Sequence, residues 1–138
     1  MNPARKGANV ERELRKILSE KGFNAFRVRG SRGTADVLSL YKGKAFVFQI
    51  KYTKYDKIRV SRHEIRRLVD LYHRHNPDPN KEITFVFLVV KFKKIGWRFY
   101  HITQLWSMLS GIFETIEINH RDGMKLEDFL SYVSQSLK

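Results

Sequence analysis

Cysteine is absent from the 138 residues, which excludes disulfides and thiolate metal sites and suits a reducing cytosol. Long apolar runs are absent as well. No stretch approaches the ~18 residues that cross a bilayer, and the opening MNPARKGANVER lacks the apolar core of a secretory signal. The expectation is a soluble cytoplasmic protein with no membrane partner. Internal repeats and low-complexity linkers are missing too, so the chain reads as a single domain over 1–138, with 42% apolar and 13% aromatic residues to fill one core.

Acidic residues are scarce: 14 Asp and Glu stand against 27 Lys and Arg, a net charge of +13. The shortage is uneven. Residues 1–74 hold 19 basic and 7 acidic side chains, whereas residues 75–138 hold 8 and 7. A field concentrated in one half of a small domain costs self-repulsion and fits a polyanionic partner, nucleic acid before a membrane surface. No helical segment joins a broad Trp, Phe and Leu face to a Lys-rich one, as an interfacial helix would. A nucleoid-associated protein follows.

Residues 8–21 place Val10, Leu14, Ile17 and Leu18 at helical spacing, and Gly22 ends the run. At about 100° per residue, Glu11 falls beside Leu18, half turned toward the core. FNAFRVR (23–29) alternates and predicts a strand with one basic face, followed by the Gly-rich loop GSRGT. ADVLSLY and AFVFQIKY form a hairpin about a Lys42-Gly43 turn. In SRHEIRRLVDLYHRH, Ser61 and Glu64 have capping-box spacing and Ile65, Leu68, Val69 and Tyr72 form the buried stripe. Beyond NPDPN, EITFVFLVVKF and WRFYHI read as strands about Gly96. TQLWSML reads as a short helix, FETIEI as a short strand and KLEDFLSYVSQSL as the closing helix. The order gives a mixed central sheet flanked by helices, α/β or α+β.

Within this frame Gln49 and Lys51 share one side of their strand, and Asp36 can face Gln49 across the hairpin. Glu11 can approach the same edge. Carboxylate and amide oxygens suit Mg²⁺, and an adjacent lysine can orient an attacking water or stabilise charge on a phosphate. That combination describes a phosphodiesterase. Taken singly, Asp36 also fits a turn, Glu11 a solvated helix carboxylate and Lys51 the polar end of a strand. Gln49 is harder to dismiss, because it interrupts a strand apolar on both faces and a buried amide needs partners or a ligand.

GANVERELRKILSEKGFNAFRVRGSRGTADVLSL followed by VFQIK resembles the archaeal Holliday junction resolvases, a branch of the PD-(D/E)xK nuclease superfamily. VKFKKIGWRFY and the terminal LEDFL helix extend the resemblance over nearly the whole chain from Lys6. It implies a restriction-endonuclease-like fold. It also implies a homodimeric, Mg²⁺-dependent endonuclease, with Mn²⁺ able to substitute and no small-molecule cofactor. The substrate would be branched DNA, namely four-way junctions, cut by paired nicks that leave 5′-phosphate and 3′-hydroxyl ends in recombination and repair. By position, Glu11 is the helix carboxylate near the metal, Asp36 the principal ligand and Lys51 the catalytic lysine. Arg12, Arg27 and Ser31 match positions associated with substrate or site. Two departures stand out: Ala35 replaces a proline that supplies no chemistry, and Gln49 replaces the second carboxylate ligand. Gln49 is compatible with an active variant that binds metal through its amide oxygen, with a paralogue that binds junctions without cutting, or with an introduced change.

For the DNA surface, Arg27, Arg29 and Arg32 lead into the site, and Lys54, Lys57, Arg59, Arg62 and Arg66 follow it. Residues 1–7 are expected to form a mobile basic arm. The basic positions are read as lacking interleaved aromatics, which favours duplex or branched DNA over single strands. Trp97, Phe99, Leu105, Trp106 and Met108 are assigned to core or dimer interface, and Leu71 to a subunit contact. His63, His73 and His75 share a helix without the companions of a zinc site.

Overall fold

The apolar runs of the two longest strands dictate the architecture. In a computed structural model describing residues 3–28, 35–109 and 114–137, β3 (Lys44–Thr53) and β5 (Thr84–Phe92) lie side by side in parallel. A parallel pair buried on both faces reads as near-continuous apolar sequence, as TFVFLVVKF does. Around them β1 (Asn24–Val28), β2 (Ala35–Tyr41) and β6 (Gly96–His101) complete a sheet ordered β1-β2-β3-β5-β6, otherwise antiparallel. The β2–β3 hairpin turns through Lys42 and Gly43, both at positive φ (48° and 79°). Two such residues match the twist of the flanking strands.

One face of the sheet carries Val37, Phe46, Phe48, Phe85, Phe87 and Phe99, covered by α1 (Pro3–Glu20) and α4 (Leu126–Ser136). Phe99 and Phe129 stack there with ring centroids 4.2 Å apart, and each fully buried ring of this kind contributes about 1.5–3 kcal/mol. The opposite face presents Val86, Leu88, Val90 and Tyr100 to α2 (Arg62–Arg74) and α3 (Ile102–Met108). These helices lie over β5, β6 and part of β3 and leave the β1 edge uncovered. Phe26, Val28 and Leu40, toward the β1 edge, remain 45%, 42% and 48% exposed, so the apolar face of FNAFRVR is not core.

Two elements differ from the sequence reading. The helix begins at Pro3 rather than residue 8, so residues 3–7, expected in a mobile arm, are its first turns. Proline suits the first helical position, where its missing N–H has no partner to lose. KIRVS, assigned to no element from the sequence, is β4 (Lys57–Ser61), antiparallel to β7 (Thr115–Asn119) in a separate two-stranded sheet. The first helix stops as expected: Gly22 at φ 93° lets the Phe23 N–H reach the Leu18 carbonyl at 3.0 Å. Trp97, Phe99 and Leu105 are core, whereas Trp106 is partly exposed. Among the described residues no helix is long and apolar enough to cross a membrane.

Candidate active site

Strand alternation and hairpin register bring Asp36 directly opposite Gln49, and Lys51 follows two residues on along the same side. This side faces α2. Gln49 is completely buried, and its Oε1 accepts a hydrogen bond from Arg67 Nη2 at 2.7 Å. Its Nε2 is buried without a partner. Lys51 Nζ stands 2.8 Å from Glu64 Oε1 in an ion pair, although the angle does not make it a hydrogen bond. Glu64 reaches that place because the Ser61 Oγ caps α2 by accepting from the Glu64 N–H at 3.1 Å.

Asp36 shows how this cluster treats charge. Burial raises its pKa above the ordinary carboxylate value, the Arg67 guanidinium pulls it partly back, and the Glu64 charge pushes it up again. Its Oδ1 is buried with no hydrogen-bond partner. An orphaned carboxylate oxygen, a neighbouring carboxylate and a hard-oxygen donor set are the conditions a divalent cation relieves. The residues present therefore fit such an ion. Among the described residues no three His, Cys, Asp or Glu side chains gather to hold a metal; the acids here are two, Asp36 and Glu64.

Glu11 is not tied into this cluster. It is 2% exposed and ion-paired with Arg15 Nε at 2.5 Å, on a helix packed against the sheet face of Phe48 and Ile50, opposite the Gln49 face. Among the described residues no hydrogen bond or ion pair joins it to Asp36, Gln49 or Lys51.

The basic positions bracket the site unevenly. Arg12, Arg27, Lys54, Lys57, Arg59 and Arg66 are exposed, and Arg62 opens α2 half-buried with its N–H bonded to the Glu114 carbonyl at 2.7 Å. Lys57 pairs loosely with Glu117 at 3.5 Å. Arg29, Ser31 and Arg32 lie outside the described residues. One reading is corrected: aromatics are interleaved here. Tyr55 is 65% exposed, with Lys54 Nζ over its ring at 5.4 Å, and the sequence signal was plain in YTKYDK. Sequence reasoning also missed Glu64, which was assigned to the helix cap, and Arg67, which was given no role.

A five-stranded mixed sheet sandwiched by helices, with acid, amide and lysine on adjacent central strands, defines the restriction-endonuclease-like nuclease fold. The solved Holliday junction resolvase Hjc of Archaeoglobus fulgidus superposes with a TM-score of 0.70 at 22% identity, over 91% of this chain and 96% of that one. The family model described as archaeal Holliday junction resolvase (hjc) matches residues 2–137. The chain belongs to that family. Crossover junction endodeoxyribonuclease Hjc of Methanocaldococcus jannaschii is 31% identical over 81 residues, 59% of this chain and 60% of that protein. Crossover junction endodeoxyribonuclease Hje of Saccharolobus solfataricus is 34% identical over 68 residues, 46% and 50% of the two chains. The matched stretches thus span well under two thirds of these relatives.

Proposed function

We propose that this protein is a divalent-metal-dependent endonuclease, with Mg²⁺ as its ion and Mn²⁺ able to substitute, that nicks four-way DNA junctions. The observation that carries the reading is the side-chain cluster in which Asp36, with an orphaned buried oxygen, lies opposite Gln49 across two adjacent strands with Lys51 two residues on. When bound, the cation supplies charge neutralisation at the scissile phosphate and a more acidic water. Asp36 holds it. Lys51, kept in place by Glu64, presents its ammonium to the phosphate and orients the attacking water. Arg67 fixes the Gln49 amide. Glu11, paired with Arg15 behind the sheet, contributes charge and packing without touching the reacting atoms.

A junction offers phosphates over a broad surface, so positioning falls to exposed cations rather than to a helix reading base edges. Arg12, Arg27, Lys54, Lys57 and Arg66 are the exposed cations of that surface, Arg29, Ser31, Arg32 and Arg62 remain DNA contacts expected from the sequence, and Tyr55 adds a ring against which an unstacked base at the branch can lie. Paired nicks require two copies of the site in one complex, so the working unit is a homodimer.

The test is a cleavage panel of junction, flap and linear duplex in Mg²⁺ and in Mn²⁺. Symmetric paired nicks in the junction, abolished by Asp36→Asn, are expected; a chain that cuts no branched DNA with either ion overturns the reading. A second reading, a weakened or inactive junction-binding paralogue, is favoured by one observation: the Gln49 oxygen is already taken by Arg67. It predicts tight junction binding with cutting only after Gln49→Glu.

A further inference from the structure

We infer that Glu64, on the first turn of α2, supplies the second carboxylate of the cation site in place of Gln49. The inference rests on the metal-dependent reading above and changes which residues hold the ion.

Gln49 is badly placed to be a ligand. Its one acceptor atom, Oε1, carries no charge and already accepts from the Arg67 guanidinium at 2.7 Å, a cation that a metal ion would have to sit beside, and the NH₂ group is the unpartnered end of a side chain with no exposure. An amide NH₂ donates and cannot coordinate a cation. Around it lie two buried carboxylate oxygens that make no hydrogen bond, Asp36 Oδ1 and Glu64 Oε1. Register puts Asp36 opposite Gln49. The contact of Glu64 with Lys51 at 2.8 Å puts it over the same side of the same strand. Buried polar atoms short of partners are rare and costly; here Asp36 Oδ1 and Gln49 Nε2 have none and Glu64 Oε1 has only its ion pair with Lys51, converging from β2, β3 and α2.

The cap of α2 points the same way. In a closed capping box the N3 glutamate reaches back to the N-cap N–H. Here only half the box forms: Ser61 Oγ accepts from the Glu64 N–H, while the Glu64 carboxylate is turned to Lys51. The cap fixes the first turn and aims the acid across the strand. Two carboxylates suffice for Mg²⁺, which commonly takes one or two together with waters and substrate phosphate oxygens. The charge lost at position 49 is restored from position 64, fifteen residues on in sequence and one side chain away from Lys51 in space.

The test is Mn²⁺ titration calorimetry, with and without a four-way junction, on the full chain and on Asp36→Asn, Glu64→Gln and the double variant Gln49→Glu/Glu64→Gln. Circular dichroism and junction binding in EDTA check each fold. Glu64→Gln and Asp36→Asn should each weaken Mn²⁺ binding at least about tenfold, and the double variant should recover most of the Glu64→Gln loss. Unchanged Mn²⁺ affinity in Glu64→Gln, with only cutting slowed, overturns the inference and leaves Glu64 as a positioning residue for Lys51. If Glu64→Gln does not fold, Glu64→Asp decides by the same measurement: weaker binding by about threefold or more supports the assignment, and equal binding overturns it. A native chain that binds Mn²⁺ but nicks no branched DNA removes the junction-nicking reading and leaves the ligand assignment standing. A native chain that binds no Mn²⁺ even with junction present removes both.

Discussion

Gln49 and Arg67 show what one buried amide demands. The Gln49 oxygen is satisfied only through the Arg67 guanidinium at 2.7 Å, so Arg67→Met strands an acceptor in a closed interior at a cost of about 1–3 kcal/mol. Replacing both partners by apolar groups avoids that penalty. Urea unfolding of Arg67→Met and of the double variant Gln49→Leu/Arg67→Met should therefore show the single change as the more destabilising. Equal midpoints would mean that the bond has no net worth. The sequence made Gln49 visible, because an amide between Phe48 and Ile50 contradicts a strand apolar on both faces. Asp36 and Lys51 were legible from strand alternation and hairpin register. Glu64 was not: its spacing from Ser61 already had a sufficient local explanation in the cap, and nothing in the chain signalled that the carboxylate would turn away. Tyr55 was legible in YTKYDK and misread, since it sits between the charges of Lys54 and Lys57.

Among elements, local pattern fixed those whose partners are near in sequence. The β2–β3 hairpin, α2 and the Gly22 stop follow from turn chemistry and periodicity. β4 did not, because five residues of KIRVS become a strand only by pairing with β7, whose Asn119 meets Lys57. The connection from α2 to β5 is held by chemistry that no motif announces. Asn76 accepts from the Ile83 and Thr84 N–H groups at 2.8 and 3.0 Å. Glu82 Oε2 accepts from Tyr72 at 2.5 Å and bonds His101 Nε2 at 2.8 Å. Burial alone would raise the Glu82 pKa, but the bonds from His101 and Tyr72 outweigh it and the net shift is downward from 4.5. A carboxylate depressed in the folded state adds stability that is present above its unfolded pKa and lost as pH falls through the folded one. Native chain and Glu82→Gln should then differ in thermal midpoint near neutrality, and the gap should close as pH falls below the ordinary carboxylate value of 4.5. A gap that stays constant over that range would show that Glu82 acts by packing alone.

For the molecule as a whole, the decisive quantity is where the charge sits. Nineteen of the 27 basic residues lie in 1–74, the segment that also carries the site, so the field that gathers phosphates and the side chains that act on them share one end of the chain. Junction binding should accordingly weaken steeply with salt, by about a thousandfold between roughly 50 and 200 mM for six neutralised phosphates. Lys54 and Lys57 test which cations take part. Both are exposed, and the 3.5 Å pairing of Lys57 with Glu117 lies between exposed side chains, where such a pair adds little to stability. Lys54→Gln/Lys57→Gln should leave the unfolding midpoint in place. It should reduce the slope of log affinity against log salt by about one unit for each phosphate contact removed. Fluorescence anisotropy on a labelled four-way junction at several salt concentrations reads that slope. An unchanged slope with intact folding would move the DNA-binding face away from the β3–β4 turn and toward the Arg12, Arg27 and Arg66 side.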